Sequence, residues 1–313
     1  MSGQKWSTTE IQFVHDNIPT MTQEQVAHAL GRSLDSLQSK IKSLRADGQL
    51  SADITRTRKG IHAQLPPTIN KTFTTTCKRI AIIGDTQLTS RFQQLTHLKH
   101  FYNLCSDEGI TEVYHLGDLA DGDGYVYPGQ IFELFIVGVD NHLNYIAENY
   151  PVIKGIKTRV IAGNHDDSYF KRAGFDFLSN LSITRPDIEY LGRYSAYINI
   201  AGTDVRMYMM HPSKAGAYAL SYHPQKICEQ FSSENKPQIL ALGHVHVGLM
   251  LPLYRNIIVL QAPCFQSQTP YLQAKGLWPM VGGIILDLAI EDNSIVMVKP
   301  EFRMYYKMIE KDY

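Results

Sequence analysis

Apolar runs that end in polar turns constrain this chain more than any other feature. RIAIIGD (79–85), EVYHLGD (112–118), TRVIAGNHD (158–166), VRMYMMHP (205–212) and ILALGHVH (239–246) each close on Asp, Asn or His. A short, mostly apolar run bounded by turn residues suits a strand covered on both faces. Helical patterns at 91–107 and 131–149 lie between the first three runs. Strands alternating with helices predict an α/β sheet with helices packed against it. In such sheets ligands gather beyond the carboxyl ends of the strands, so the polar turns stand where they could converge.

The length of 313 residues suits one large domain, or a large one with a small one. A composition of 44% hydrophobic and 19% charged residues excludes collagen-like, low-complexity and wholly disordered chains. Lys+Arg and Asp+Glu both total 30, so the chain as a whole is not a polycation. The charge is unevenly placed: residues 1–78 hold ten Lys/Arg against six Asp/Glu, and residues 79–313 hold 20 against 24. Cys77, Cys105, Cys228 and Cys264 are scattered with no CxxC pair, which suits a reducing compartment and no disulfide framework. MSGQKWSTTE lacks the apolar core of a secretory signal. No stretch approaches the roughly 18 apolar residues of a membrane span. A cytoplasmic protein with no membrane partner is the expectation.

Three short helices are predicted in residues 1–50. Ser7-Thr8-Thr9-Glu10 is a capping box ahead of Ile11, Val14 and Ile18, and Pro19 ends that helix. Thr22 with Gln25 repeats the signature ahead of Val26, Ala27 and Leu30. A third helix starts at Ser33, with Leu34, Leu37, Ile41 and Leu44 on one face. Residues 51–77 are polar, broken by Pro66-Pro67, and basic at Arg56, Arg58 and Lys59, which reads as a linker. The third region is residues 78–313.

The polar turns carry the chemistry. Asp85 and Gln87, Asp118 and Asp121, Asn164 and His165, His211, and His244 with His246 combine carboxylate, amide and imidazole donors suited to Mn, Fe or Zn. That is too many ligands for one tetrahedral centre, and two ions sharing a carboxylate is the economical arrangement. Glycines immediately before Asp85, Asp118, Asn164 and His244 would let the chain turn sharply off each strand. In His244-Val245-His246 the i, i+2 spacing could aim two imidazoles at adjacent ions.

The ordered motifs D-x-Q, GDxxD, GNHD, H and GHxH resemble those of the calcineurin-like metallophosphoesterase superfamily, over about residues 79–290. The resemblance implies a four-layer αββα sandwich and a phosphoester hydrolase using two divalent metal ions. It implies Asp85, Gln87 and His246 at one ion, Asn164, His211 and His244 at the other, and Asp118 bridging. It further implies a hydroxide held between the ions as nucleophile and His165 as general acid. Asp121 would orient His165 by the same resemblance, and it equally fits a turn cap before Gly122. The family usually has His where this chain has Gln87. An amide oxygen is a weaker, harder ligand, which favours Mn²⁺, with Mg²⁺, Fe²⁺ or Zn²⁺ also compatible.

W-S-x-x-E…QVAHALGRSLDSLQSKIKSL resembles Myb/SANT-type helix-turn-helix modules. That resemblance implies DNA as partner and a recognition helix from Ser33, with Arg32, Gln38, Lys40, Lys42 and Arg45 as exposed contacts. A small protein-interaction domain is the other reading. Joined to the hydrolase, the module points to a DNA nuclease or phosphodiesterase. The nuclease-type, SbcD-like members are the nearest resemblance, and by resemblance alone they imply a homodimer or an accessory ATPase. A phosphomonoesterase, a cyclic-nucleotide or other small-molecule phosphodiesterase, and a binding factor with a structural metal site stay open. Tyr125, Tyr127, Tyr169 and Phe170 read mainly as core, with base stacking at a cleft rim as the alternative. Lys171 and Arg172 read as a solvated helix face, or as phosphate contacts.

Overall fold

Ser7 and Thr22 each start a helix through a reciprocal hydrogen-bonded cap. Ser7 Oγ accepts the Glu10 N–H at 3.2 Å while the Glu10 carboxylate accepts the Ser7 N–H at 2.7 Å. Helix α1 (Thr8–Asn17) follows, then α2 (Gln23–Ala29) behind the Thr22–Gln25 pair and α3 (Leu34–Ala46) behind Ser33. Val14, Val26, Leu37, Ile41 and Leu44 form their buried core, with Trp6 half-buried against it. This computed structural model describes residues 5–18, 21–50, 75–213 and 219–313. The helix stop at Pro19, the basic stretch Arg56–Lys59 and Pro66-Pro67 lie outside the described residues. The chain divides into two compact units, residues 1–71 and 72–313.

The second unit begins with β1 (Thr75–Ile83), whose last residues are buried on both faces. After it come α4 (Leu95–Asp107), β2 (Glu112–His115), α5 (Val139–Asn149), β3 (Lys157–Ala162), α6 (Ser168–Ala173) and α7 (Phe177–Thr184). Then follow β4 (Ile188–Arg193), β5 (Ser195–Asn199), β6 (Arg206–Met210), α8 (Tyr222–Cys228), β7 (Ile239–Leu242), β8 (Leu249–Tyr254) and β9 (Ile257–Gln261). The chain closes with α9 (Pro270–Ala274), β10 (Gly282–Glu291) and β11 (Ser294–Met304). One sheet runs β11-β10-β1-β2-β3-β4, with β1 to β4 parallel, and the other runs β5-β6-β7-β9-β8, with β6, β7 and β9 parallel.

Alternation along the strands builds the layers. In β1, Ile80 and Ile82 point between the sheets to meet Met207, Met209 and Leu260, whereas Ala81 and Ile83 join Leu98 and Phe101 of α4 on the outer face. On the far side of the second sheet, Leu240, Leu242 and Val259 pack with Cys228 of α8. Helix, sheet, sheet and helix therefore stack as the expected four-layer αββα sandwich.

Two predicted helices are shorter than the sequence pattern. The pattern at 131–149 becomes helix only from Val139, after Gly138 at φ +98°. Residues 122–138 instead form a long loop with one 3₁₀ turn at Gln130–Phe132. The buried Gln130 holds it: its Oε1 accepts the Val126 N–H at 2.8 Å and its Nε2 donates to the Asp121 carbonyl. At 91–94, the Arg91 N–H goes to the Glu133 carbonyl and the Gln94 N–H to the Phe265 carbonyl, so the helix waits until Leu95. These non-local bonds satisfy the backbone that a helix would have satisfied locally.

Candidate metal centre

The polar turns after β1, β2, β3, β6 and β7 meet at one edge of the sandwich. Main-chain bonds lace them together, with the Asp85 N–H donating to the Gly117 carbonyl at 2.9 Å and the Gln87 N–H to the Asp118 carbonyl at 3.1 Å. Asp85 in turn accepts the His244 N–H from the other sheet at 2.9 Å.

The sharp turns are made differently from the sequence expectation. Of the glycines before the polar residues, only Gly117 lies in the left-handed region, at φ +92°. Gly163 and Gly243 are there for space: a Cβ would lie 2.1 Å from Asp118 Oδ1 at the first and 2.4 Å from the Leu116 carbonyl oxygen at the second. The polar residues themselves take the unusual backbone, with φ of +50° at Asp85, +46° at Gln87, +54° at Asp118, +78° at His244 and +58° at His246. Such conformations cost of order 1–3 kcal/mol each and persist where the surroundings impose them, commonly at functional sites.

His211 Nε2 lies 3.1 Å from Asp118 Oδ2, 3.1 Å from Asn164 Oδ1 and 3.2 Å from His244 Nδ1. His211 Nδ1 donates to the Leu116 carbonyl at 2.7 Å, which fixes the ring with Nε2 facing the cluster. Donor atoms of Asp118, His211 and His244 all lie within 4.8 Å of one another. Beside them, His246 Nε2 approaches Asp85 Oδ1 at 3.3 Å, and Gln87 Nε2 approaches Asp118 Oδ2 at 3.3 Å. Asp118 thus touches both groups.

His165 sits above Asp118, whose Oδ1 accepts its main-chain N–H at 2.8 Å. The His165 ring is held by a main-chain acceptor: Nδ1 bonds the Asp121 carbonyl at 2.8 Å, while the Asp121 carboxylate stands off at 3.4 Å. Burial pulls the His165 pKa down, but the Asp118 charge and the contacts with Asp121 outweigh it and hold it at about 9. Burial likewise lowers His211, and Asp118 restores it to about 9. Burial and then His211 push His244 down to about 4. Burial raises Asp118, but the imidazoles of His211 and His165 bring it well below the carboxylate range. The Gln87 Oε1 is buried with no hydrogen-bond partner among the described residues. A buried amide oxygen with no partner suits a cation, which would supply the missing one.

Two positioning residues received no role from sequence. Asp166 accepts main-chain N–H groups from Ala120 at 2.9 Å, Gly163 at 3.0 Å and Leu119 at 3.2 Å, tying the turn after β2 to the turn after β3. It closes the GNHD motif, so the motif contained the signal. Gln130 Nε2 lies 3.1 Å from His165 Nδ1, and nothing local in the sequence marks it.

In the first unit Gln38 and Lys42 are exposed, while Lys40 and Arg45 are half-buried. Arg32 is not the exposed contact expected. Its side chain is 11% exposed, bonded to Glu10 at 2.9 Å and set over the Trp6 ring at 4.9 Å.

A cluster of Asp, Asn and His at the carboxyl ends of strands from two stacked sheets defines a class. The family model for calcineurin-like phosphoesterases matches residues 78–248, more than half of the chain, and the chain belongs to that family. A DNA polymerase II small subunit from Archaeoglobus fulgidus is 27% identical over 207 residues, covering 56% of this chain and 42% of that protein. The DNA polymerase II small subunit of Halobacterium salinarum is 25% identical over 221 residues, covering 60% and 43%. The chain thus spans about two-fifths of the length of these curated relatives. Among solved structures, a Vps29 double mutant from Entamoeba histolytica aligns with a TM-score of 0.37 at 14% identity, covering 73% of this chain and 99% of that one. Nuclease MPE from Pseudomonas putida aligns with a TM-score of 0.30 at 15% identity, covering 71% and 87%. Among the described residues, no helix is long and apolar enough to cross a membrane.

Proposed function

We propose that the chain is a metal-dependent phosphodiesterase acting on DNA. The observation that carries this reading is Asp118, shared between two groups of donors and directly beneath His165. Asp85, Gln87 and His246 would hold one divalent cation, Asn164, His211 and His244 the other, and Asp118 both. When bound, the ions neutralise phosphoryl charge and acidify water, and the oxygen-rich donor set favours Mn²⁺. The chain's own residues do the rest. The Asp121 carbonyl engages His165 Nδ1, which leaves Nε2 to carry a proton to the leaving oxygen. Gln130 keeps that carbonyl in place. His211 holds its orientation through the Leu116 carbonyl.

DNA as substrate is supported by the polymerase-subunit names of the curated relatives and by the basic balance of residues 1–78. The three helices of residues 1–50 are proposed as a DNA-binding module that raises the local substrate concentration. Gln38, Lys40, Lys42 and Arg45 would face the duplex. Purified protein with Mn²⁺ should cleave DNA, and His165→Ala should abolish cleavage while DNA binding persists. DNA left intact across metals and strand forms, while small phosphodiesters are hydrolysed, would remove DNA as the substrate.

A further inference from the structure

A cavity of about 500 Å³ opens beside the candidate centre, lined by Asn164, Ser168, Lys171, Arg172 and Tyr125 among others. That volume lies in the roughly 300–1,000 Å³ range of small-molecule sites. A second cavity of about 160 Å³ adjoins it, sharing Asp123, Tyr125 and Arg172 as walls. Val139, Tyr169, Ala173 and Phe175 make the rest largely apolar. A dry apolar cavity of about 150 Å³ is enough to admit a benzene ring. Moving away from Asn164, a ligand therefore meets two cationic side chains and then a slot of ring size. Phosphate followed by base is the order in which a nucleotide presents its parts.

Tyr125 is the pivot of this path. It is 60% exposed, so the core role expected from sequence does not hold for it, whereas Tyr169 is buried and Tyr127 is stacked on Tyr271 at 4.1 Å. The Arg172 guanidinium lies over the Tyr125 ring, 4.3 Å from its centroid. Asp123 holds both, through Arg172 Nε at 2.8 Å and the Tyr125 N–H at 3.0 Å. The pair is assembled before any ligand arrives, which lowers the ordering cost of binding. The imidazole and phenol of the slot are already engaged: His142 Nδ1 bonds the Tyr169 hydroxyl at 2.6 Å and Nε2 bonds the Ile136 carbonyl at 2.8 Å. A site with a stacking ring and engaged polar groups accepts any base by its face.

We infer that Tyr125 and Arg172 form a sequence-tolerant subsite for the unstacked base of a single-stranded nucleic acid whose phosphate lies at the centre. This rests on the phosphodiesterase reading and narrows it, because a base inside a duplex is stacked on both faces and cannot enter the slot.

The test uses the full chain, with Tyr125→Ala and Tyr125→Phe, against oligothymidylate, an abasic strand of equal length and a blunt duplex. Binding is measured in EDTA and turnover in Mn²⁺. Tyr125→Ala should weaken oligothymidylate binding roughly 5- to 150-fold, the worth of one base–aromatic stack. Binding of the abasic strand and of the duplex should be unchanged, and Tyr125→Phe should behave as wild type. In turnover the loss should fall on KM. Equal losses on the thymidylate and abasic strands, or no loss on thymidylate, would overturn the subsite. Equal weakening of the duplex would overturn its single-strand character. If the wild type hydrolyses no phosphodiester, bis-p-nitrophenyl phosphate included, the phosphodiesterase reading fails while the EDTA binding comparison still decides the subsite.

Discussion

Gly163 and Gly84 precede candidate ligands in the same way, yet an added methyl group should affect them very differently. At Gly163 a Cβ would stand 2.1 Å from Asp118 Oδ1 and 2.6 Å from the Asp118 main-chain nitrogen. Both are far inside the roughly 3.5–4.0 Å of ordinary contact, and the nitrogen is backbone that cannot swing aside. Overpacking of this kind costs about 1–3 kcal/mol. Displacing Asp118 also breaks the bond from the His165 N–H, and a hydrogen bond to a charged group contributes about 1.5–3 kcal/mol. Gly163→Ala should therefore destabilise the second unit by about 2.5–6 kcal/mol, or roughly 5–25 °C in Tm. At Gly84 the nearest atoms to a Cβ are Leu116 Cβ at 3.4 Å and Ala262 Cβ at 3.7 Å, which is ordinary contact. Gly84→Ala should stay within about 0.5 kcal/mol of wild type. Thermal unfolding by circular dichroism reads the stabilities, and Mn²⁺ calorimetry reads the centre. Binding heat should vanish in Gly163→Ala and persist in Gly84→Ala. Equal Tm shifts for the two variants, or full Mn²⁺ binding by Gly163→Ala, would refute the close-approach argument.

Gln87→His replaces an amide oxygen with imidazole and should raise the preference for Zn²⁺ over Mn²⁺ by about tenfold or more. Competition with a chromophoric chelator measures it, and an unchanged ratio would take Gln87 out of the coordination. In the first unit, the hydrogen bond from Arg32, aided by the Ser7 N–H, holds Glu10 down at about 2. A lowered carboxylate pKa stabilises the fold above the unfolded value of about 4.3 and loses that contribution as pH falls toward 2. Trp6 fluorescence in a Trp278→Phe background should show the denaturation midpoint dropping across that window, with Arg32→Met flattening the drop. A midpoint insensitive to pH between 5 and 2 would contradict the ion pair.

The parts of the molecule legible in sequence are those written locally. The capping pairs Ser7–Glu10 and Thr22–Gln25 depend on residues three apart, and both formed. The strand-end clusters were legible because burial on both faces imposes apolar runs, and the polar residues that end them stand out. What stayed hidden depends on partners far away in the chain. The stretch 131–138 carries a helical pattern, but Gln130 and Glu133 bond residues across the loop and on the 91–94 turn instead. The strain sits on Asp85, Gln87, Asp118, His244 and His246; Asp and His tolerate a left-handed backbone better than most residues, but which of them adopt it is decided only when the turns are packed together. Tyr125 and Tyr169 look alike in sequence, and only the path of the 122–138 loop puts the first at a rim while the packing of α6 puts the second in the core.

The bond from the His244 main-chain N–H to the Asp85 carboxylate crosses from one sheet to the other, where the two halves of the centre meet. The oxygen donors Asp85, Gln87, Asp118 and Asn164 follow strands β1 to β3, and the imidazoles His211, His244 and His246 follow β6 and β7. During synthesis the oxygen-bearing half emerges first and, if these residues are the ligands proposed above, would hold a divalent ion only weakly. A full chelate would arise only after the second sheet has docked. On the proposed ligand assignment, cations would then act as a rivet against slippage of the sheets. At a hundred times its Kd, each ion would contribute about 2.7 kcal/mol against their separation. Loading would thus report correct assembly, and a chain whose sheets had docked out of step would be left unloaded.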